Sequence, residues 1–240
     1  MKNAIVTGGT KGIGLAVVTH LLQKGYTVYA TYAHDEEAKR AAQKSLEGFV
    51  DRLFFIQLDQ ADAQAIHQFA DTLKQQKVMI SCIVANAGTT VRKAAKDISD
   101  EDWEKVMQVC VNGHFYLIRD LWENICPNSR IIFIGSLMGI LPHATSLAYA
   151  VAKAAVHALA QNLVKEFEGT ETTVNAIAPG FVDSEWQKNK PAVIRENICA
   201  KTALHRFATT DEIASAVDFC IENQFLNGEV LKITGGYSYK

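Results

Sequence analysis

A chain of 240 residues, 48% hydrophobic and 21% charged, is long enough to bury a sizeable core as one α/β domain. A formal net charge of -2 leaves no basic surplus for nucleic acid or an anionic membrane, and no apolar run approaches the roughly 18 residues of a membrane span. Residues 1–6 run straight into a strand without an export signal, and the five cysteines lack Cys-x-x-Cys spacing, which predicts a cytoplasmic protein with reduced thiols.

Short β-branched runs alternate with amphipathic helical stretches along the chain, the pattern of a doubly wound parallel sheet with helices on both faces. Residues 4–7 form the first predicted strand, and Thr7-Gly8-Gly9-Thr10-Lys11-Gly12-Ile13-Gly14 turns from it into a helix over 12–24. At such a junction glycines allow a tight turn and close approach of backbone to a pyrophosphate, while the helix start favours an anion. A dinucleotide is the expected ligand, and a glycine-rich loop without one is the alternative. A strand at 27–31, a helix at 35–46, a strand at 53–57, a helix at 62–75 and a strand at 82–85 follow. The second half reads as a long helix over 100–124, a strand at 130–135, a helix over 148–167, a strand at 173–177, a helix over 210–221 and a strand at 230–234. A Thr-Thr-Asp-Glu capping signal placed at Thr210 opens the last helix. No linker, repeat or low-complexity segment divides the chain, so one domain over 1–240 is expected.

Within the helix over 148–167, Tyr149 and Lys153 stand four residues apart and therefore share a face. An ammonium near the phenol stabilises its anion, so Lys153 is expected to lower the Tyr149 pKa from about 10 toward the range of a proton donor and acceptor. Ser136 ends the apolar strand before them and is placed to hydrogen-bond a reacting oxygen. Taken alone, Tyr-x-x-x-Lys also describes ordinary helical surface, and a serine at a strand end also describes a cap.

The ordered set resembles the short-chain dehydrogenase/reductase family over almost the whole chain. The glycine turn looks like that family's cofactor loop, Asp59 sits where the family contacts adenine, and Asn86-Ala87-Gly88 is similar to its Asn-Ala-Gly motif. Asn112, Ser136, Tyr149 and Lys153 match its four catalytic positions, and Pro179-Gly180-Phe181-Val182-Asp183-Ser184 resembles its segment reaching the nicotinamide. The resemblance implies a Rossmann-like sheet of about seven strands and transfer of hydride between a nicotinamide and a substrate carbon, with Tyr149 handling the proton. It also implies that Lys153 holds the nicotinamide ribose and that Asn112 supports a helix irregularity and a water in a proton relay. Cofactor contacts are expected from Gly8, Thr10, Lys11, Gly12, Ile13, Gly14, Thr31, Asp59, Asn86, Ala87, Gly88, Pro179, Gly180, Val182 and Ser184, besides Tyr149 and Lys153.

NAD-selective relatives place an acid at the end of the second strand, where this chain has Thr31. Lys11 offers a charge for a 2′-phosphate, with hydrogen bonds from Thr31 and His34, so NADP(H) is expected; Asp35 and Glu36 nearby could invert the choice. Residues 184–206 look like the family's substrate-binding arm, in which Trp186 either walls the pocket or packs the arm onto the body. Chain endings most resemble bacterial 3-oxoacyl thioester reductases, so the leading expectation is a 3-oxoacyl thioester, possibly on a carrier protein. Residues 123–129 and 166–171 lack the basic side chains an acidic carrier would meet, although Arg92, Lys93, Lys96, Lys188, Lys190 and Arg195 are available. A small free ketone, sugar or polyol is the runner-up, and a non-catalytic dinucleotide sensor, which would typically lack the tyrosine or lysine, is the reading from another class. Apolar residues on several faces of the two long helices predict a homo-oligomer, dimer or tetramer. The seven histidines show no metal-binding spacing, and His143 reads as a loop histidine.

Overall fold

A computed structural model describes residues 2–144 and 146–237. Its strands are β1 (Asn3–Val6), β2 (Thr27–Tyr32), β3 (Leu53–Gln57), β4 (Ile80–Ala85), β5 (Ile125–Ile134), β6 (Thr173–Pro179) and β7 (Val230–Ile233). They form one parallel sheet in the order β3-β2-β1-β4-β5-β6-β7. Central strands are apolar on both sides because helices cover both faces; every residue of β6 is buried.

One face is covered by α1 (Gly12–Gln23), α2 (Glu36–Ser45) and α9 (Thr210–Glu222), whose Val17, Val18, Leu21, Leu22, Ile213 and Val217 join Val6, Val28 and Val84 in one cluster. The other face carries α3 (Ala63–Gln75), α4 (Asp100–Met107), α5 (Gly113–Asp120) and α6 (Leu147–Glu166). There Ile66, Leu73, Leu117, Leu121, Val156 and Leu163 pack on Ile5, Ile83, Ile131 and Phe133. Side chains start most of these helices: Asp35 accepts from the Ala38 amide and Asp62 from the Ala65 amide. Reciprocal capping boxes, Ser99 with Asp102 and Thr209 with Glu212, open α4 and α9, so the cap of the last helix is Thr209 and not Thr210. No side chain caps α1, which has Lys11 before its first turn and no acid within it.

The helix expected over 100–124 is interrupted. Between α4 and α5 lies one turn of π-helix, Gln108–Asn112, in which the Gly113 amide reaches back to the Gln108 carbonyl. The cause is tertiary: Gln108 Nε2 donates to the Gln60 carbonyl at 3.2 Å, and a Cβ at position 113 would lie 2.4 Å from Gln60 Oε1. β5 begins at Ile125, earlier than expected, because Ile125 pairs with Ile80 before a register shift brings Arg130 opposite Cys82. The arm contributes two short helices that its sequence pattern does not announce, α7 (Glu185–Lys188) and α8 (Ala192–Lys201).

Candidate active site

Strand order reverses between β1 and β4, and the carboxyl ends of the strands there open into a cavity of about 220 Å³. Gly8, Lys11, Gly12, Ile13 and Gly14 line one side, Asn86, Ala87 and Gly88 the floor, and Pro179, Gly180, Val182 and Ser184 the far wall. Backbone contact sets the glycine turn: a Cβ at position 14 would lie 2.1 Å from the Gly8 carbonyl oxygen. Asn86 ties it to β4, its Nδ2 donating to the carbonyls of Thr7 at 2.8 Å and Gly8 at 3.1 Å. Thr7 Oγ1 accepts the amides of Asn86 and Ala87, both at 2.9 Å, and lies 3.3 Å from Nε2 of buried His114. The uncapped start of α1 and its missing acid fit an anionic pyrophosphate, as the cradle around Gly14 fits close backbone approach.

Ser136, Tyr149 and Lys153 meet on the wall of this same cavity. Lys153 is buried, and its Nζ donates to the Ile134 carbonyl at 2.6 Å while standing 5.7 Å from the centre of the Tyr149 ring. Gly88 lies beside it, a Cβ at that position falling 3.7 Å from the ammonium, in ordinary contact. Desolvation pushes the Lys153 pKa down, only partly opposed by Cys110. Ser136 Oγ accepts the Met138 amide at 3.1 Å, which leaves its own hydrogen to donate. Nε2 of His157 accepts the Ser136 amide at 3.3 Å, and desolvation, followed by the Lys153 charge, holds that imidazole neutral with a pKa of about 4.

The expected lowering of the Tyr149 pKa by Lys153 is reversed. Desolvation raises the phenol, Cys110 adds to the rise, and the bond from Ser136 is the influence that lowers it. Lys153 does share a face with Tyr149, but its ammonium is anchored on Ile134 rather than on the phenol.

At the other end of the cavity, Lys11 Nζ is paired with Asp35 Oδ2 at 2.6 Å, and Asp35 also caps α2. Glu36 accepts from the Tyr32 hydroxyl at 2.7 Å, so both acids after β2 have structural partners. Thr31 does not present a free hydroxyl: it is fully buried, its Oγ1 lacks a partner among the described residues, and it acts on the turn through its carbonyl, which accepts the Gly9 amide at 2.8 Å. Asp59 pairs with His34 at 2.9 Å and accepts the Ala61 amide. Thr10 is buried, and Thr10, Thr31, Asp59 and Asn112 all lie outside the cavity lining. Asn112 ends the π-turn and its Nδ2 lies 3.4 Å from Gln108 Oε1.

The profile of the short chain dehydrogenases matches residues 2–194. The chain belongs to this family. Among curated relatives, the acetoacetyl-CoA reductase of Allochromatium vinosum is 30% identical over 97% of this chain and 97% of the relative. A 3-oxoacyl-(acyl-carrier-protein) reductase of Aquifex aeolicus is 28% identical, covering 98% of this chain and 96% of its own. The solved short chain dehydrogenase of Burkholderia cenocepacia in complex with NADP superposes with a TM-score of 0.91 at 27% identity, covering 98% of this chain and 96% of the other.

Within this short-chain dehydrogenase, several lining residues escape a motif search. Thr90, Met138 and Ser146 are among them; Phe181, from the segment 179–184, also faces the cavity, as does the arm residue Trp186, which tilts over the Tyr149 ring at 5.8 Å between centroids while its own side chain stays 44% exposed. Trp186 therefore both walls the pocket and seats the arm. His157 and Cys110 influence Ser136 and Tyr149 from behind; the signal for His157 is its place four residues after Lys153, one turn along the same helix face. His143, in the loop before α6, lies tilted against Phe181 with 6.2 Å between ring centroids. Among the described residues no cluster of ligating side chains could hold a metal ion, and no helix is long and apolar enough to cross a membrane.

Proposed function

We propose that the protein reduces a ketone to a secondary alcohol at the expense of NADPH, with a 3-oxoacyl thioester as substrate. The observation that carries the reading is the convergence of Ser136, Tyr149 and Lys153 on the cavity that the glycine turn also lines. A nicotinamide dinucleotide supplies the hydride, and the residues placed to hold it are the turn, Asn86 to Gly88, Lys153 and the segment from Pro179 to Ser184.

Ser136 turns its hydroxyl hydrogen from Tyr149 to the substrate oxygen as negative charge grows there, an interaction stronger in the transition state than before it. Tyr149 gives that oxygen its proton. A phenol raised by burial stays protonated at neutral pH, which suits a donor in the reductive direction. Lys153 stands 5.7 Å from the centre of the ring and holds the end of β5 through Ile134. Trp186 covers the ring, and Phe181 adds an apolar side chain to the cavity lining.

NADPH is favoured by Lys11 at the turn, whose bond to Asp35 a 2′-phosphate would share or displace. The thioester is supported by relatives named for acetoacetyl-CoA and 3-oxoacyl carrier substrates. The homo-oligomer is supported by exposed apolar side chains on α4, α5 and α6, namely Trp103, Phe115, Leu147 and Val151. The cytoplasm is the compartment that suits five free cysteines. Turnover of acetoacetyl-CoA with NADPH, at a kcat/KM clearly above that with NADH, is the expected result. Reduction of simple ketones or sugars without any β-oxo thioester activity would give the runner-up its case.

A further inference from the structure

The catalytic cavity does not end at Tyr149. A second cavity of about 310 Å³ continues from it under the arm, and the two share Arg92, Met138, Ser146 and Phe181. Three cations line the continuation, Arg92, Lys190 and Lys201, and among the described residues no carboxylate does. The rest of the arm and its hinge behave differently. Lys188 is paired with Glu185, Arg195 with Asp183 at 3.0 Å, and Arg206 with Glu212 at 2.6 Å. Among the described residues, Arg92, Lys190 and Lys201 take part in no ion pair. Of the acids along the same segment, Asp183 and Glu185 neutralise other cations, and Glu196, on α8, lies outside the cavity lining, which leaves these three facing one hollow.

Arg92 and Lys201 are exposed to solvent, yet gathering three like charges at one hollow carries a repulsion that a bound anion would relieve. Lys190 is half-buried, and desolvation together with the Arg92 charge lowers its pKa, so the two positive groups feel each other. Met138, Ile194, Ile198 and Phe181 line the same space, so a short apolar segment followed by a negative group fits its chemistry.

We propose that this second cavity receives an anionic group of the substrate, a carboxylate or a phosphate carried by the molecule whose carbonyl is reduced at Tyr149. The inference rests on carbonyl reduction at that residue and deepens it by assigning the charge of the substrate. Arg92 stands at the junction of the two spaces, Lys190 lines the second just before α8, and Lys201 ends that helix. A negative group bound there would also close the arm by drawing Lys190 toward Arg92.

The test compares substrates that differ in charge. One pair is 5-oxohexanoate and its ethyl ester, for a carboxylate; the other is acetoacetyl-CoA and the neutral acetoacetyl thioester of N-acetylcysteamine, for a phosphate. In the parent protein the charged member of one pair should have the higher kcat/KM by about tenfold, and the pair that shows it identifies the source of the anion. Lys190→Gln and Arg92→Gln should each reduce that ratio by about fivefold, mainly through KM, as should raised salt, while Lys74→Gln on distant α3 keeps it. A ratio near one in the parent, or a ratio indifferent to both substitutions, overturns the proposal. If no substrate is turned over, the reading of Tyr149 fails instead, and calorimetry with hexanoate and inorganic phosphate decides the cavity. Binding weakened by Lys190→Gln sustains it, and equal or absent binding ends it.

Discussion

Burial holds the Tyr149 phenol above its ordinary value, and the Ser136 hydroxyl pulls the other way. A donor with a raised pKa stays loaded through neutral pH. Reduction should therefore be flat there and fall only as alkali strips the phenol, while oxidation of the alcohol, which needs the phenolate, should rise with pH over the same range. Tyr149→Phe removes the proton and should lower kcat by about 10²–10⁴-fold with dinucleotide binding retained, a split that steady-state kinetics and fluorescence titration read directly. The trio was legible at this scale because an i, i+4 pair and a strand-end serine are local in sequence. The direction of the phenol shift was not, since it depends on what covers the ring: Trp186 arrives from the arm and Cys110 from the π-turn. Thr31 was misplaced for a similar reason. Sequence shows a hydroxyl at the end of a strand, whereas the pleat turns it inward.

Among the elements, strands and capped helices followed from local pattern, and the exceptions all have tertiary causes. Nothing between Gln108 and Asn112 breaks a helix by propensity; the π-turn forms because Gln60 presses on Gly113 and holds Gln108. The start of β5 at Ile125 depends on Ile80 across the sheet. α8 is mostly exposed, so it has no apolar stripe to announce it. Local signals can also be tested energetically. Thr209 accepts the Glu212 amide at 3.2 Å, and Glu212 returns a bond to the Thr209 amide at 2.8 Å. Thr209→Ala should cost about 1 kcal/mol, seen as a lower denaturation midpoint at unchanged slope. An unaltered midpoint would mean that packing of α9 on α1, with His20 bonded to Asp211 and Asp218, fixes the helix without its cap.

For the whole molecule, two buried imidazoles set an acid limit. Desolvation, then the Lys153 charge, holds His114 at about 3 and His157 at about 4, against 6.5 for a free histidine. Below 6.5 the unfolded chain takes up protons that the folded chain refuses, so stability should fall as pH drops from there toward 4. Each histidine contributes a slope of at most about 1.4 kcal/mol per pH unit. His20 is raised, its bonds to Asp211 and Asp218 overcoming desolvation, so it acts only above 6.5 and in the opposite sense. Urea midpoints that hold steady across that interval would show that the rings can be protonated in place. Assembly is the other property of this scale. The exposed apolar residues of α4, α5 and α6 predict a dimer or tetramer by light scattering, and a monomer at micromolar concentration would leave Trp103, Phe115 and Val151 unexplained.

The bare beginning of α1 joins folding to occupancy. With no side chain closing that turn, whichever phosphate settles there finishes the helix as well as filling the pocket. The two equilibria are then one, and every tenfold excess of ligand over its dissociation constant adds about 1.4 kcal/mol to the durability of the entire sheet. Starved of it, the polypeptide would lose that margin, so supply of the dinucleotide would govern how long each copy survives.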